Sequence, residues 1–230
     1  MTSVRTINPS ERQPFWGTSE KCRQASKSNN PEVLTDIYHE DTNIAIWQRS
    51  LSGKLKNTVD HFLQANPTFK TAMTVSPQSV YSSINTSPGW SATYNELSEN
   101  IAELVDMFCY LFDLNRAAMR LAVLQHAMCP KFHVDRVPCR LVTTYQGIAT
   151  EWLPHEHVNR SKLGMGSNGK PDNESGLYQS SSDIEQLFEG DVALLKGELW
   201  EGNENAGLVH RSPTVSTSEC RLLLTMDFSN

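Results

Sequence analysis

In the stretch KFHVDRVPCRLVTTY, residues 131–145, His133 and Asp135 have the types and spacing of paired metal ligands. Residues i and i+2 of an extended chain point to the same side, so one cation can meet both side chains. A third ligand from a distant histidine would complete the two-histidine, one-carboxylate face that non-haem Fe(II) uses, with the opposite positions left open. The same donor atoms suit Zn²⁺. The spacing alone decides little: with 7 His and 10 Asp in 230 residues, about 0.3 such pairs arise by chance. A second one, His39-Glu40-Asp41, precedes the strand-like NIAIW with no partner set after it, and reads as a turn.

The third ligand would be His210, at the end of GNENAGLVHRSP and 77 residues beyond His133. Arg221 follows eleven residues later and opens the apolar run RLLLTMDF. A guanidinium facing into a barrel there could take the far carboxylate of a dicarboxylic co-substrate in a two-pronged pair; pairing with Asp227 is the plainer alternative. Lys196 shares its strand face with Val192 and Leu194, making it a second anion anchor if that face is internal and a solvated charge if it is not. Arg140, Glu151 and Trp152 are candidates for the pocket wall, Trp152 with a core role as the alternative. His155 and His157 form an H-x-H pair in a Pro-containing loop, either solvated or able to hold a transient metal. Cys129 and Cys139 flank the opening stretch and could form a zinc site with His126 or His133, but no second cysteine pair completes four ligands.

Elements must bring these residues together. NIAIWQR (43–49) reads as a short strand and LKNTVDHFLQANP (55–67) as a helix stopped before Pro67. In residues 95–114, Leu97, Ile101, Leu104, Val105, Phe108, Leu111 and Phe112 recur at helical spacing. After this helix the period changes: 119–126, 139–147, 191–197 and 221–228 are short aliphatic runs bounded by turn residues, the signature of strands. Helices first and strands later predict an α+β fold, with helical support over 32–115 and a β-core over 116–230. Residues 1–31 are polar and predict an arm that is either mobile or draped on the surface. The Gly-, Ser- and Asn-rich stretch 159–183 predicts a long loop that is either disordered or a lid.

A net charge of −6 and pI near 5.6 argue against a nucleic-acid backbone as the main partner. No apolar run of signal-peptide or bilayer-spanning length is present, and five cysteines without C-x-x-C spacing suit reduced thiols, so a cytoplasmic protein is expected.

The ordered set of His133, Asp135, Gly147, Gly190-Asp191, His210 and Arg221 resembles the pattern of the Fe(II)- and 2-oxoglutarate-dependent dioxygenase superfamily over roughly residues 119–228. The resemblance implies a double-stranded β-helix, a jelly-roll of the cupin-like kind, with Fe(II) on the triad and 2-oxoglutarate on Arg221. Leu223 stands where many members carry a hydroxyl two residues past the arginine, so Thr143, Tyr145 or Thr225 would supply that hydrogen bond. More narrowly, CPKFHVDRVPCRLVTTYQGIATEWLP, GDVALLKGE and GLVHRSP are similar to the bacterial domain-of-unknown-function family 1826. That resemblance implies a link to metal homeostasis, and so a non-catalytic zinc-binding or sensing role as the alternative to oxygenase chemistry. The substrate, small molecule or protein, is not legible.

Overall fold

The computed structural model describes residues 22–216 and 219–229. The chain enters as strand β1 (Gln24–Ser28), makes a 3₁₀ turn over Pro31–Tyr38, and returns as β2 (Thr42–Trp47). Helix α1 (Gly53–Ala65) starts where the Ser52 hydroxyl accepts the Leu55 amide, and buries Leu55, Val59, Phe62 and Leu63 along one stripe. Strand β3 (Lys70–Val75) and the short α2 (Val80–Asn85) precede α3 (Asn95–Leu111), which buries the predicted Leu97, Ile101, Leu104, Val105 and Phe108. The remaining strands are β4 (Ala117–Leu124), β5 (Cys139–Gln146), β6 (Glu151–Leu153), β7 (Glu185–Gln186), β8 (Val192–Lys196), β9 (Val209–Arg211) and β10 (Arg221–Phe228).

Seven strands form one sheet in the order β1-β2-β8-β5-β10-β4-β3, and three form a second, β7-β6-β9. One isolated bridge, His133 to His210, extends the smaller sheet by a residue. This is the expected jelly-roll. The large sheet buries its two faces differently. Leu141 and Tyr145 of β5, Val192 and Leu194 of β8, and Leu222, Leu224 and Met226 of β10 pack with α1 and α3. Val142, Leu195 and Leu223 turn the other way, toward Trp152 and Leu208, and fill the space between the sheets. Alternation along each strand thus decides which side chains can see the interior.

Several expectations are corrected. The polar segment before Pro31 is not all arm: residues 24–28 pair in parallel with β2, by backbone bonds that need no apolar side chains, while 1–21 lie outside the described residues. The sheet is not confined to the C-terminal half, since β1, β2 and β3 all join it. The stretch 159–183 is ordered into 3₁₀ turns at 160–162, 164–167 and 181–183 and a helical turn, α4 (Asp172–Ser175). Its Leu177, with Val158, packs on Phe132, Leu153 and Val209. Among the described residues no helix is long and apolar enough to cross a membrane.

Candidate metal and anion site

His133, Asp135 and His210 converge: one ligand atom from each lies within 4.8 Å of the others. Backbone pairing sets this up. His133 and His210 exchange two amide-to-carbonyl bonds of 3.0 Å each, which places their rings on the same side, 4.6 Å apart. Nδ1 of His133 sits 2.9 Å from the Lys131 carbonyl and Nδ1 of His210 3.2 Å from that of Leu208. A carbonyl only accepts, so both Nδ1 atoms carry a proton, and each Nε2 donates to a carboxylate when its ring is protonated or offers a lone pair to a cation when its ring is neutral. Both Nε2 atoms face Asp135, that of His133 at 3.6 Å from Oδ1 and that of His210 at 3.3 Å from Oδ2. Two lone pairs and a carboxylate aimed at one point are a donor set that a divalent cation satisfies.

Asp135 is held ionised. Burial raises its pKa, but hydrogen bonding to His133 and His210 and the Arg140 charge outweigh this and keep it far below the ordinary carboxylate range. Arg140 Nη1 donates to Asp135 Oδ2 at 2.7 Å, while its Nε and Nη2 grip Asp227 at 2.8 Å each. Arg140 thus orients the carboxylate from behind. His133 has a raised pKa, chiefly through Asp135. Phe132, next to His133, donates its amide to Asp172 Oδ2 at 2.9 Å, so α4 steadies the segment. At Gly197 a Cβ would sit 2.0 Å from the Val137 carbonyl oxygen and 2.9 Å from that of Asp135, so the chain carrying Asp135 lies flat against a residue without a side chain.

Arg221 is fully buried at the start of β10. Nε and Nη2 donate to Thr144 Oγ1 at 3.2 and 3.0 Å, Nη2 also to Thr150 Oγ1 at 2.6 Å, and Nη1 to Ser212 Oγ at 3.2 Å. All four contacts are to neutral hydroxyls, and no ion pair of the described residues includes Arg221. Asp227, the plainer partner, is taken by Arg140. Burial without a counter-charge pulls the Arg221 pKa down to about 10. A narrow cavity of about 50 Å³ touches His133, His210, Arg140 and Arg221, with Val142, Leu195 and Leu223 among its apolar lining.

Not every candidate belongs here. Thr143 and Tyr145 face the helices: Tyr145 is buried in the helix-side core and donates to Asn100 Oδ1 at 3.0 Å. The hydroxyl on the interior face is Thr144, one residue off and therefore on the opposite side. Thr144 escaped the sequence reading because the adjacent threonines 143 and 144 give no parity signal of their own, and Thr150 and Ser212 because neither lies in a stretch that reads as a strand. Lys196 also faces the helix side, donating to the His39 carbonyl at 2.8 Å with Trp200 beneath its ammonium, so it is neither an anion anchor nor solvated. Trp152 fills the space between the sheets, and Glu151 points outward to accept from Arg211 Nε at 2.6 Å. Thr225, like Arg140, does line the cavity.

Cys139 is buried among the helix-side residues, its thiol pushed up by burial, so it does not join the exposed Cys129 in a zinc site. His155 lies 3.2 Å from Arg160 Nη2, and burial lowers its pKa to about 4, helped by the charges of Arg160 and Arg23; such surroundings repel a cation. His157 turns instead to Asp183, at 3.4 Å. His39 and Asp41 flank a turn.

No curated protein matches the chain by sequence. Among solved structures it is similar in fold to dioxygenase for auxin oxidation 1 from Arabidopsis thaliana in its 2-oxoglutarate complex, with a TM-score of 0.50, 10% identity, and 90% of this chain and 92% of that one covered. The rice dioxygenase for auxin oxidation has a TM-score of 0.47 at 11% identity, with 90% and 82% covered. HygX from Streptomyces hygroscopicus with iron bound has 0.46 at 12%, with 86% and 85% covered. A family model described as protein of unknown function (DUF1826) matches residues 28–227, and the chain belongs to that family.

Proposed function

We propose that the protein is an Fe(II)- and 2-oxoglutarate-dependent oxygenase, with His133, Asp135 and His210 as the metal ligands and Arg221 as the anchor of the co-substrate's far carboxylate. The observation that carries this reading is one cavity bordered by both histidines of the triad and by a fully buried guanidinium whose partners are all uncharged. A buried cation without an anion is costly, and a bound carboxylate removes the cost. Thr144, Thr150 and Ser212 accept from Arg221 and keep their own O–H groups to donate to that carboxylate, which makes good the hydroxyl that Leu223 lacks. Bound iron supplies dioxygen activation driven by oxidation of the 2-oxo acid. The chain orients the co-substrate and keeps water out with Val142, Leu195 and Leu223. The Arabidopsis dioxygenase of similar fold is itself a 2-oxoglutarate complex.

Anaerobic addition of Fe(II) and then 2-oxoglutarate is expected to produce a visible charge-transfer band that His210→Ala and Arg221→Met each abolish. A protein that binds Fe(II), shows no band and consumes no 2-oxoglutarate in air is not this oxygenase. The cavity's small volume, about 50 Å³, favours one other reading, a zinc-binding or sensing protein, because a bare cation needs far less room than a cation with a 2-oxo acid. Zinc that co-purifies and resists exchange for Fe(II), with no 2-oxoglutarate consumption, would select it.

A further inference from the structure

The large sheet is wider than the small one, and its interior face is uncovered at the β4–β3 end. A groove of about 670 Å³ runs there, a volume typical of small-molecule sites. Ala72, Ala122, Leu124 and Met128 give it an apolar lining, and no carboxylate borders it. Two cations do: Lys70 on β3 and Arg120 on β4, both exposed and neither in an ion pair with a described residue. In a chain of net charge −6 that is a local inversion of sign.

The groove joins the proposed metal cavity at two points. Met128 lines both. Arg120 is the cross-strand partner of Thr225, whose side chain lines the cavity. Arg120 also lies four residues along the ladder from the level of Arg221, roughly 13 Å at the rise of a strand. The two guanidinium groups are thus separate anchors, one buried and one open.

We infer that this groove binds the primary substrate, and that the substrate is a small amphipathic organic anion. Its apolar body rests on Ala72, Ala122, Leu124 and Met128, its carboxylate, sulfonate or phosphate pairs with Lys70 and Arg120, and its far end reaches the cavity past Thr225. The substrate role rests on the oxygenase reading; the binding site does not.

The probe is 8-anilinonaphthalene-1-sulfonate, an apolar ring system with one anionic group. Its fluorescence is followed on metal-free wild-type protein, on Lys70→Ala/Arg120→Ala, on Ala122→Trp and on His133→Ala. Wild type and His133→Ala are expected to bind it equally. The double variant should weaken binding at least about tenfold, as loss of a charged hydrogen-bonding pair does, and Ala122→Trp should abolish it by filling the groove. Uncharged N-phenyl-1-naphthylamine should bind at least about tenfold more weakly than the sulfonate. Equal binding to the double variant, or equal binding of the uncharged analogue, overturns the anion site. Competition by an acidic peptide but not by octanoate or octyl phosphate overturns the small-molecule class. Because the readout needs no metal, failure of the oxygenase reading leaves it intact. Conversely, the charge-transfer band is expected to survive Lys70→Ala/Arg120→Ala.

Discussion

At the scale of single residues, the candidate site is legible where type and order suffice, and illegible where a half-turn of the strand decides. His133, Asp135 and His210 were found from spacing and order, and the structure brings them within 4.8 Å. The sequence offers Thr143, Tyr145 or Thr225 as the hydroxyl; Thr225 lines the cavity, but the one that meets Arg221 is Thr144, because CRLVTTYQ carries hydroxyls on both faces and only packing tells them apart. Lys196 shows the same limit, since its face is internal to the protein yet remote from the site. Its burial has a consequence that can be measured. Desolvation lowers its pKa to about 8, from an ordinary value of 10.5. Between those values the unfolded chain binds a proton that the folded one has released, so stability rises with pH across the window and the cost is full below pH 8. Urea unfolding should show wild type gaining up to about 3 kcal/mol relative to Lys196→Met between pH 8 and 10.5; parallel pH profiles for the two proteins would contradict this.

At the scale of elements, α3 and the strands β4, β5, β8 and β10 could be read directly, because each carries an apolar period long enough to stand out. Strands β1, β3, β6, β7 and β9 could not. β6 and β9 have three residues each and β7 two, while β1 and β3 are edge strands with polar outward faces. The turn between β5 and β6 was marked by Gly147, and the structure gives the reason. Its φ is +90°, and a Cβ there would come within 2.5 Å of the Cys220 carbonyl oxygen and 3.1 Å of Arg221 Cα. Gly147→Ala should therefore cost about 2 kcal/mol or more and push Arg221 out of register with Thr144. Calorimetry would show the lowered Tm. Under the proposed function, 2-oxoglutarate binding should weaken more than Fe(II) binding, because the triad stands on other segments.

At the scale of the whole molecule, the jelly-roll gathers candidate ligands from chain positions 77 apart and leaves one flank of its wide sheet open beside them. A cation bound to the folded state and not the unfolded one stabilises it by about 4 kcal/mol at a thousand times its dissociation constant. Removing metal with a chelator should lower the Tm of wild type and leave that of His210→Ala unchanged; equal shifts would place the stabilising ion elsewhere. The single bridge between His133 and His210 also works as a built-in reporter. The small sheet continues past β9 through this residue alone, with two reciprocal amide bonds at its frayed edge. Edge amides exchange with solvent deuterium through small local openings, yet under the proposed function opening here also means parting two ligands of one ion. The His133 and His210 amides should thus slow their deuterium uptake in step with metal occupancy while the helix-side core stays unchanged, so that two backbone protons count the loaded molecules.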